Sequence, residues 1–454
     1  MKTLWSQAVA PDELMLRYTV GEDRHWDGYL LEWDVIGSLG HVEGLHASGL
    51  LTRADRDRLR RGLRAAFRAV QAGKLVIGPE HEDAHSAVET WLTRRIGRAG
   101  ERVHTGRSRN DQVACDLRLF LKDRLLRLEG LALTVAGELL HWAARQRETL
   151  WPGYTHLRPA MPSSAGLWAA ALAEGLLDTV ESLDAVWRQV DRSPLGSGAG
   201  YGVPLPLRRE AAAAALGFGG LEHNVGQVQN GRGKLEAAVL FWCAQLGHDL
   251  AKLSTDVILW SGPEFGLLRL PARFATGSSI MPHKKNPDVF ELTRGRAAAL
   301  EGDLAAVLAL RGKLTSGYHR DFQLLKEPLF RGVARTEEML EMMGAVVPAL
   351  EPVPERGLQL LAGGVLATDE ALRRAEAGVP FRRAYREVAA ALDRGQAVAA
   401  PTPAEIVARR RSTGGLGRLD LAAPRRRFGG LTARNEAARA RFLAAVKALV
   451  GRGR

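Results

Sequence analysis

The sequence has few cysteines and no long uninterrupted apolar run. Cys115 and Cys243 are the two cysteines among 454 residues, and both lie in segments with helical apolar spacing, so we expect reduced packing residues rather than a disulfide. No apolar run approaches the roughly 20 residues that a membrane-spanning helix needs. The N-terminus carries Asp12 and Glu13 and lacks the basic-then-apolar layout of a secretion signal. We therefore expect a cytoplasmic protein with no membrane partner.

The chain has an excess of positive charge, but no concentrated basic segment. Its 63 lysines and arginines outnumber 51 acidic residues, giving a formal net charge of +12. The arginines are mostly interleaved with acids, and the arginine runs at 409–411 and 425–427 are short. We therefore do not expect a nucleic-acid partner. A positive field also suits a small polyanionic substrate.

Almost no segment alternates as a β-strand does, whereas three segments have long helical apolar spacing. Apolar residues recur at steps of three and four from Leu121 to Trp142, from Leu172 to Val190 and from Leu235 to Trp260. Each pattern exceeds about five turns, which is long for a globular helix and predicts a bundle. Such helices have more than one apolar face to cover, so association between chains is expected.

The flanking segments have shorter helical patterns. Thr52 is a predicted N-cap for a helix that extends to Gln71, and after Pro354 the pattern is broken by Gly363 and Pro401. We predict an all-α fold of three mainly helical domains with a central long-helix bundle. The predicted boundaries are 1–106 for an N-terminal helical domain, 107–355 for the bundle and 356–454 for a small C-terminal helical domain.

The most informative segment is the polar, proline-rich run from Gly277 to Asp288, GSSIMPHKKNPD. Gly277 gives backbone freedom and the prolines remove N–H donors, so we expect an exposed loop. Such a loop can present serine hydroxyls, backbone N–H groups and ammonium charge to one carboxylate. The string resembles the signature loop of the fumarase/aspartase superfamily, whose members eliminate fumarate from a substituted succinate.

Two further strings carry polar side chains beside predicted helices. TGRSRNDQ, at 105–112, places Asp111 in a first helical turn, where arginine, serine and asparagine can bind a carboxylate or a guanidinium-bearing group. An elaborate N-terminal cap with solvated arginines explains that string equally well. THLRPAMP, at 155–162, contains His156, and Glu291 begins a predicted helix. A carboxylate at that position can orient an imidazole for proton transfer.

In this order and spacing, the three strings resemble the argininosuccinate lyase family, and supporting matches extend over most of the chain. Among them are Pro194–Ala199, Glu264-Phe265 and Ala367–Asp369. The resemblance implies a carbon–nitrogen lyase that reversibly eliminates fumarate from argininosuccinate, giving arginine in the last step of arginine biosynthesis. It also implies a homotetrameric helical core with active sites shared between subunits. No organic cofactor or metal is needed for this chemistry, so none is expected.

The resemblance also implies roles for individual residues. Ser278 would take the Cβ proton, and Lys284 would stabilise the developing charge together with Asn286. His156, oriented by Glu291, would assist proton transfer. The predicted catalytic residues are therefore Ser278, His156, Glu291 and Lys284. The predicted substrate-binding residues are Ser108, Arg109, Asn110, Thr155, Asn286, Tyr318, Gln323, Lys326 and His85.

The sequence departs from the family pattern at a few positions. Arg158 and His283 stand where glutamine is usual, and Asp23 falls where many relatives have serine. Arg232-Gly233-Lys234 occupies the region of a usual arginine-aspartate-phenylalanine. These departures affect the expected binding of the substrate more than the expected class of reaction.

Several alternatives remain. Adenylosuccinate lyase often has the Met-Pro-His-Lys sequence found here, another fumarate-releasing member of the superfamily is a second alternative, and a non-catalytic structural homologue could have the same fold. The HEDAH sequence at 81–85 fits a zinc-protease pattern, although no third ligand follows at a convincing spacing.

Overall fold

The computed structural model describes residues 12–398 and 401–451, and helices dominate both ranges. The α-helices, in chain order, are α1 (Glu13–Val20), α2 (Asp23–Asp27), α3 (Leu31–Ala47), α4 (Arg53–Gln71), α5 (Ala84–Ile96), α6 (Arg109–Arg145), α7 (Ala165–Val190), α8 (Arg209–Ala215), α9 (Gln227–Asn230), α10 (Lys234–Ser261), α11 (Asp288–Arg311), α12 (Lys326–Val346), α13 (Pro354–Leu360), α14 (Ala367–Glu376), α15 (Phe381–Asp393), α16 (Pro403–Arg409) and α17 (Ala422–Val450).

Short 3-10 helices and strands connect these helices. The 3-10 helices are Gly97–Arg102, Ala272–Phe274, Arg320–Leu325, Val347–Ala349, Gly363–Leu366 and Leu416–Arg418. The strands are β1 (Leu150–Thr155), β2 (Arg158–Ser164), β3 (Arg192–Ser193), β4 (Gly220–Leu221), β5 (Leu268–Arg269), β6 (Thr276–Gly277), β7 (Lys285–Asn286) and β8 (Glu351–Pro352). They pair as β1-β2, β3-β4, β5-β8 and β6-β7, and the β3-β4 pair is parallel. The all-α fold is confirmed.

The long helices α6, α7, α10, α11 and α12 pack into one bundle. Helices α6 and α12 are parallel, because ion pairs join Arg124 to Glu337 and Arg127 to Glu341 one turn further along. Helix α10 is parallel to α12 as well, since Gly332 lies against Leu240. The three predicted apolar segments fall inside α6, α7 and α10, so the predicted long helices are confirmed.

Helices α7 and α11 run in the opposite direction. Gly233, just before α10, lies beside Arg311 at the end of α11. In α7, Trp168 Nε1 donates to Asp256 near the end of α10, at 2.9 Å. The bundle therefore has a cleft end, where α6, α10 and α12 begin, and a hairpin end, where α7 and α11 begin.

The distance between the two ends follows from helix length. Helix α10 has 28 residues, and at 1.5 Å per residue it spans about 42 Å. In the string at 105–112, residues 105–108 precede α6 and residues 109–112 form its first turn, at the cleft end. The signature loop at 277–288 leads into α11, at the hairpin end.

The β1-β2 hairpin at 150–164 was not predicted from the sequence. Strand β1 pairs antiparallel with β2 with one irregularity after Gly153. Pro152 and Pro162 lie opposite each other in this pair. Proline is tolerated because a two-stranded hairpin consists of edge strands, whose outward groups need no strand partner. The prolines and polar residues obscure the alternation that would have indicated strands.

The buried apolar residues form one large cluster and one small one. The large cluster extends from Leu30 to Val450 and includes α17, which packs on α3 and α6. The small cluster joins Leu150 to Leu361, Val365, Leu366, Ile406 and Leu416. The predicted division into three domains stays a prediction. No helix in residues 12–398 or 401–451 combines the length and the apolar character that crossing a membrane requires.

Candidate active site

A polar cleft opens at the cleft end of the bundle. It encloses roughly 710 Å³, part of it open to solvent. The predicted residues Arg109, Asn110, Tyr318, Gln323 and Lys326 all contribute to its wall. The remaining lining residues are Val20, Asp23, Asp27, Glu82, Asp83, Val113, Arg232, Arg320 and Phe322.

Two carboxylates bind the ammonium group of Lys326 at the inner end of the cleft. Lys326 Nζ lies 2.7 Å from Asp23 Oδ1 and also contacts Asp27 Oδ1. Asp23 Oδ2 accepts a 2.8 Å hydrogen bond from Gln323 Nε2. Burial opposes the charge of Lys326, but Asp27 and Asp23 outweigh that effect and raise the pKa of Lys326. Burial raises the pKa of Asp27 to about 6, although Lys326 opposes the rise.

Arg109 is held on the outer wall by two acids that follow one another in sequence. Its Nη1 lies 2.8 Å from Glu82 Oε1 and its Nε lies 2.6 Å from Asp83 Oδ2. Burial lowers the pKa of Arg109, but Asp83 and Glu82 more than offset it and the net pKa is raised. Arg320 stands further out, with Nη2 3.8 Å from Glu82 Oε1.

The start of α6 is fixed by a reciprocal cap. Ser108 Oγ accepts from Asn110 N at 3.2 Å, while Asp111 Oδ1 accepts from Ser108 N at 2.9 Å. Asp111 Oδ2 also accepts from the backbone N–H groups of Gly196 and Gly198, at 2.9 and 3.0 Å. Burial raises the pKa of Asp111 to about 6, against the opposing effects of Arg107 and these N–H donors. The predicted cap is therefore present, and it holds Asn110 at the cleft wall.

A buried charged network lies beneath the cap. Arg107 Nη2 donates to Ser38 Oγ at 3.1 Å, and Ser38 Oγ donates to Asp34 Oδ1 at 3.4 Å. Arg107 is also 2.5 Å from His104 Nδ1. Burial raises the pKa of Asp34 to about 7, with Arg107 opposing the rise. This network supports the segment that carries Ser108 and Asn110.

His85 belongs to the buried network rather than to the cleft lining. Its ring stacks on that of His104 with centroids 3.6 Å apart, and burial followed by the nearby Arg107 lowers its pKa well below the usual value. A substrate-binding role for His85 stays a prediction. His81 precedes the Asp83 N-cap of α5, so the two histidines do not share a helical face as the zinc-protease pattern requires.

The predicted base, Ser278, lies in the signature loop at the hairpin end. Strands β6 and β7 close the base of this loop, and Thr276 Oγ1 donates to Asp288. Ser278 Oγ accepts from Met281 N at 3.1 Å and from Ile280 N at 3.4 Å. Lys284 is exposed, and Asn286 is half-buried.

His156 is at the tip of the β1-β2 hairpin. His156 and Leu157 have φ angles of +52° and +57°, a left-handed conformation that side chains other than glycine adopt at a cost of roughly 1–2 kcal/mol each. Thr155 and His156 are exposed. Glu291, in the first turn of α11, is exposed too, and it makes no hydrogen bond to His156 among the described residues.

The single chain therefore places the predicted residues other than His85 at the two ends of the bundle. One group, at the cleft end, contains Arg109, Asn110, Tyr318, Gln323 and Lys326, with Ser108 in the cap beside them. The other, at the hairpin end, contains Thr155, His156, Ser278, Lys284, Asn286 and Glu291. Asp27 and Arg320 line the cleft but were missed by the sequence analysis. Asp27 could have been found as the residue one helical turn after Asp23.

Comparisons with known proteins agree with this architecture. The model of a lyase family matches residues 15–302. The solved structure of EDDS lyase in complex with formate superposes with a TM-score of 0.78 at 24% identity, covering 98% of this chain and 97% of that one. The structure of a class II fumarase from Schistosoma mansoni superposes with a TM-score of 0.71 at 16% identity, covering 82% of this chain and 85% of that one. At these identities, the two structures show the fold alone. The family match and the helical fold define the chain as a lyase of the fumarase/aspartase superfamily.

Curated relatives show which family within this superfamily the chain belongs to. An argininosuccinate lyase of Sorangium cellulosum is 44% identical over 87% of this chain and 93% of its own length. An argininosuccinate lyase of Stenotrophomonas maltophilia is 39% identical over 94% of this chain and 99% of its own length. The chain belongs to the argininosuccinate lyase family.

Proposed function

We propose that this protein reversibly splits argininosuccinate into fumarate and L-arginine. The observation that carries the proposal is the position of Ser278 Oγ as the acceptor of two backbone N–H groups in the signature loop. Donors aimed at an oxygen stabilise its anion, which a serine must form in order to act as a base. Family membership supports the choice of substrate.

In the proposed elimination, Ser278 Oγ takes the proton from the succinyl Cβ. The electron pair of that C–H bond forms the new double bond, and the bond from the neighbouring carbon to the guanidino nitrogen breaks. Lys284 and Asn286 bind the carboxylate that carries the intermediate negative charge. His156 assists the proton transfers, and the departing nitrogen receives a proton as arginine forms.

The arginine end of the substrate occupies the cleft in this proposal. Asn110, Tyr318, Gln323 and Lys326 all line it. Since the cleft and Ser278 are at opposite ends of one bundle, each site needs parts from more than one chain. We assign the active assembly as a homotetramer with shared sites. Exposed apolar side chains on the bundle helices, including Phe241 at 57% and Leu292 at 58%, provide surfaces for such association.

The proposal includes a cytoplasmic location. The free thiols of Cys115 and Cys243 are both buried, which suits a reducing compartment.

The test is a direct assay of the purified protein. Argininosuccinate is added and fumarate is followed by its ultraviolet absorbance, with arginine measured separately. We expect both products in equal amounts. Adenylosuccinate serves as the comparison substrate, and its turnover without turnover of argininosuccinate would refute the assignment.

A further inference from the structure

We propose that Asp23 is a specificity-determining residue that binds the α-ammonium group at the arginine end of the substrate. This inference rests on the proposed function and deepens it. Gln323 and Lys326 were expected to hold one end of the substrate, but both already contact Asp23 in the structure. The inner end of the cleft is therefore a site for a cation rather than for a carboxylate.

The hydrogen-bond donors at the inner end of the cleft are already engaged. Lys326 Nζ donates to Asp23 and to Asp27. The Gln323 amide donates to Asp23, and its Oε1 accepts from Arg320 Nε at 3.0 Å. A substrate carboxylate that approached Lys326 would lie beside two protein carboxylates and be repelled by them.

Asp23, in contrast, retains the capacity to accept hydrogen bonds. Each of its carboxylate oxygens accepts one bond from the described residues, whereas a carboxylate offers about four acceptor positions. Its side chain is 11% exposed, and it lines the cleft. Asp23 and Asp27 share the one ammonium group of Lys326, so this ion pair does not neutralise both carboxylates, and the remaining negative charge attracts a ligand ammonium.

The substrate's α-carboxylate is accommodated further out. The Arg320 side chain is 46% exposed and its Nη2 is 3.8 Å from Glu82. Neither Nη atom of Arg320 makes a hydrogen bond to the described residues. An α-carboxylate placed against Arg320 would leave the α-ammonium directed inward, towards Asp23.

The experiment compares two guanidino compounds that differ only in the α-ammonium group. L-arginine and 5-guanidinopentanoate are each offered with fumarate, in the direction of addition, to the wild type and to Asp23→Asn. Removing the Asp23 charge should reduce the preference for L-arginine, expressed as a ratio of kcat/KM values, by about tenfold. Asp23→Glu, which restores the charge, should recover most of the preference.

Glu22→Gln is the matched control, because it removes the same charge from an exposed neighbour. Its preference should equal that of the wild type. If Asp23 only competes with a substrate carboxylate, Asp23→Asn will accelerate the reactions of both guanidino compounds equally and leave the ratio of their kcat/KM values unchanged, which overturns the inference.

Calorimetric binding of the same two ligands separates this inference from the proposed function. If the wild type turns over neither guanidino compound, the activity assignment fails. If the wild type binds L-arginine more tightly than 5-guanidinopentanoate and Asp23→Asn loses this difference, the ammonium site is still supported. Equal binding of the two ligands to the wild type contradicts it.

Discussion

At the scale of single residues, the hydroxyl of Ser278 is placed differently from that of its neighbour. Ser278 Oγ accepts two backbone N–H bonds, whereas the adjacent Ser279 is exposed. Ser278→Ala should lower kcat for argininosuccinate by about a hundredfold or more, since it removes the proposed base. The measurement is the fumarate absorbance assay with saturating substrate.

Ser279→Ala is the matched control for this prediction. It removes the same atom one residue away, and we expect less than a tenfold change in kcat. Both variants should elute from a sizing column like the wild type, since both serines are in a loop outside the apolar core. A near-normal rate for Ser278→Ala would remove this residue from the mechanism.

A buried acid of the charged network should make stability depend on pH. Burial raises the pKa of Asp34 from 3.8 to about 7, so the folded state favours its protonated form. That contribution to stability is fully present below about pH 4 and is lost as the pH rises through about 7. The free energy of unfolding should therefore fall across this window, and Asp34→Asn should flatten the fall.

Chemical denaturation at several pH values between 4.5 and 7.5 measures this effect. The change is at most a few kcal/mol, because a tenfold change in proton affinity corresponds to roughly 1.4 kcal/mol. Asp57→Asn is the control, since Asp57 is a partly exposed acid whose hydrogen bond with Arg56 lowers its pKa, so it stays ionised over the tested range. An identical pH profile for Asp34→Asn and the wild type would contradict the prediction.

At the scale of elements, the sequence predicted long helices better than short strands. The apolar residues of α6, α7 and α10 repeat at helical spacing over many turns, and that signal does not depend on other segments. The β1-β2 hairpin carries three prolines, at 152, 159 and 162, and turns through His156 and Leu157. Neither is the glycine or asparagine that indicates a two-residue turn. Its strand pairing could not be predicted from local sequence.

The same limit applies to the candidate site. The polar strings identified Asn110, Lys326 and Ser278 because their motifs are local. Which of them share one end of the bundle depends on the directions of α6, α10, α11 and α12. Asp23 also illustrates this limit, since its contacts with Gln323 and Lys326 join segments about 300 positions apart in the chain.

Helix packing provides a prediction at the same scale. Gly332 of α12 lies against α10 and α11, and a Cβ there would overlap Leu240 and come within 3.0 Å of Leu300 Cδ1. Both leucines are fully buried. Gly332→Ala should destabilise the protein by about 1–3 kcal/mol, because overpacking outweighs the better helix propensity of alanine. Unfolding in urea measures the difference.

Gly430→Ala in α17 is the matched control. No atom lies within 4 Å of a Cβ at this exposed position, so alanine should stabilise the helix by roughly 0.5–1 kcal/mol. Should both variants shift the urea midpoint in the same direction, the close approach of α12 to α10 would not be the cause.

At the scale of the whole molecule, the separation of the two residue groups has a testable consequence. Asn110 and Lys326 are at the cleft end, whereas Ser278 is at the hairpin end, and α10, which runs between the two ends, is about 42 Å long. If a site combines the cleft of one chain with the Ser278 loop of another, two inactive variants can complement each other. Ser278→Ala and Lys326→Ala should each be inactive alone, because each damages every site of its own homotetramer.

Mixed tetramers should regain part of the activity. When the two variants are unfolded together at equal concentrations and refolded, random association gives about a quarter of the sites both an intact Ser278 and an intact Lys326. We therefore expect about 25% of the wild-type kcat per site, measured with argininosuccinate. Mixing without unfolding is the control and should give no activity until subunits exchange. Continued inactivity after co-refolding into tetramers would contradict the assignment of sites shared between chains.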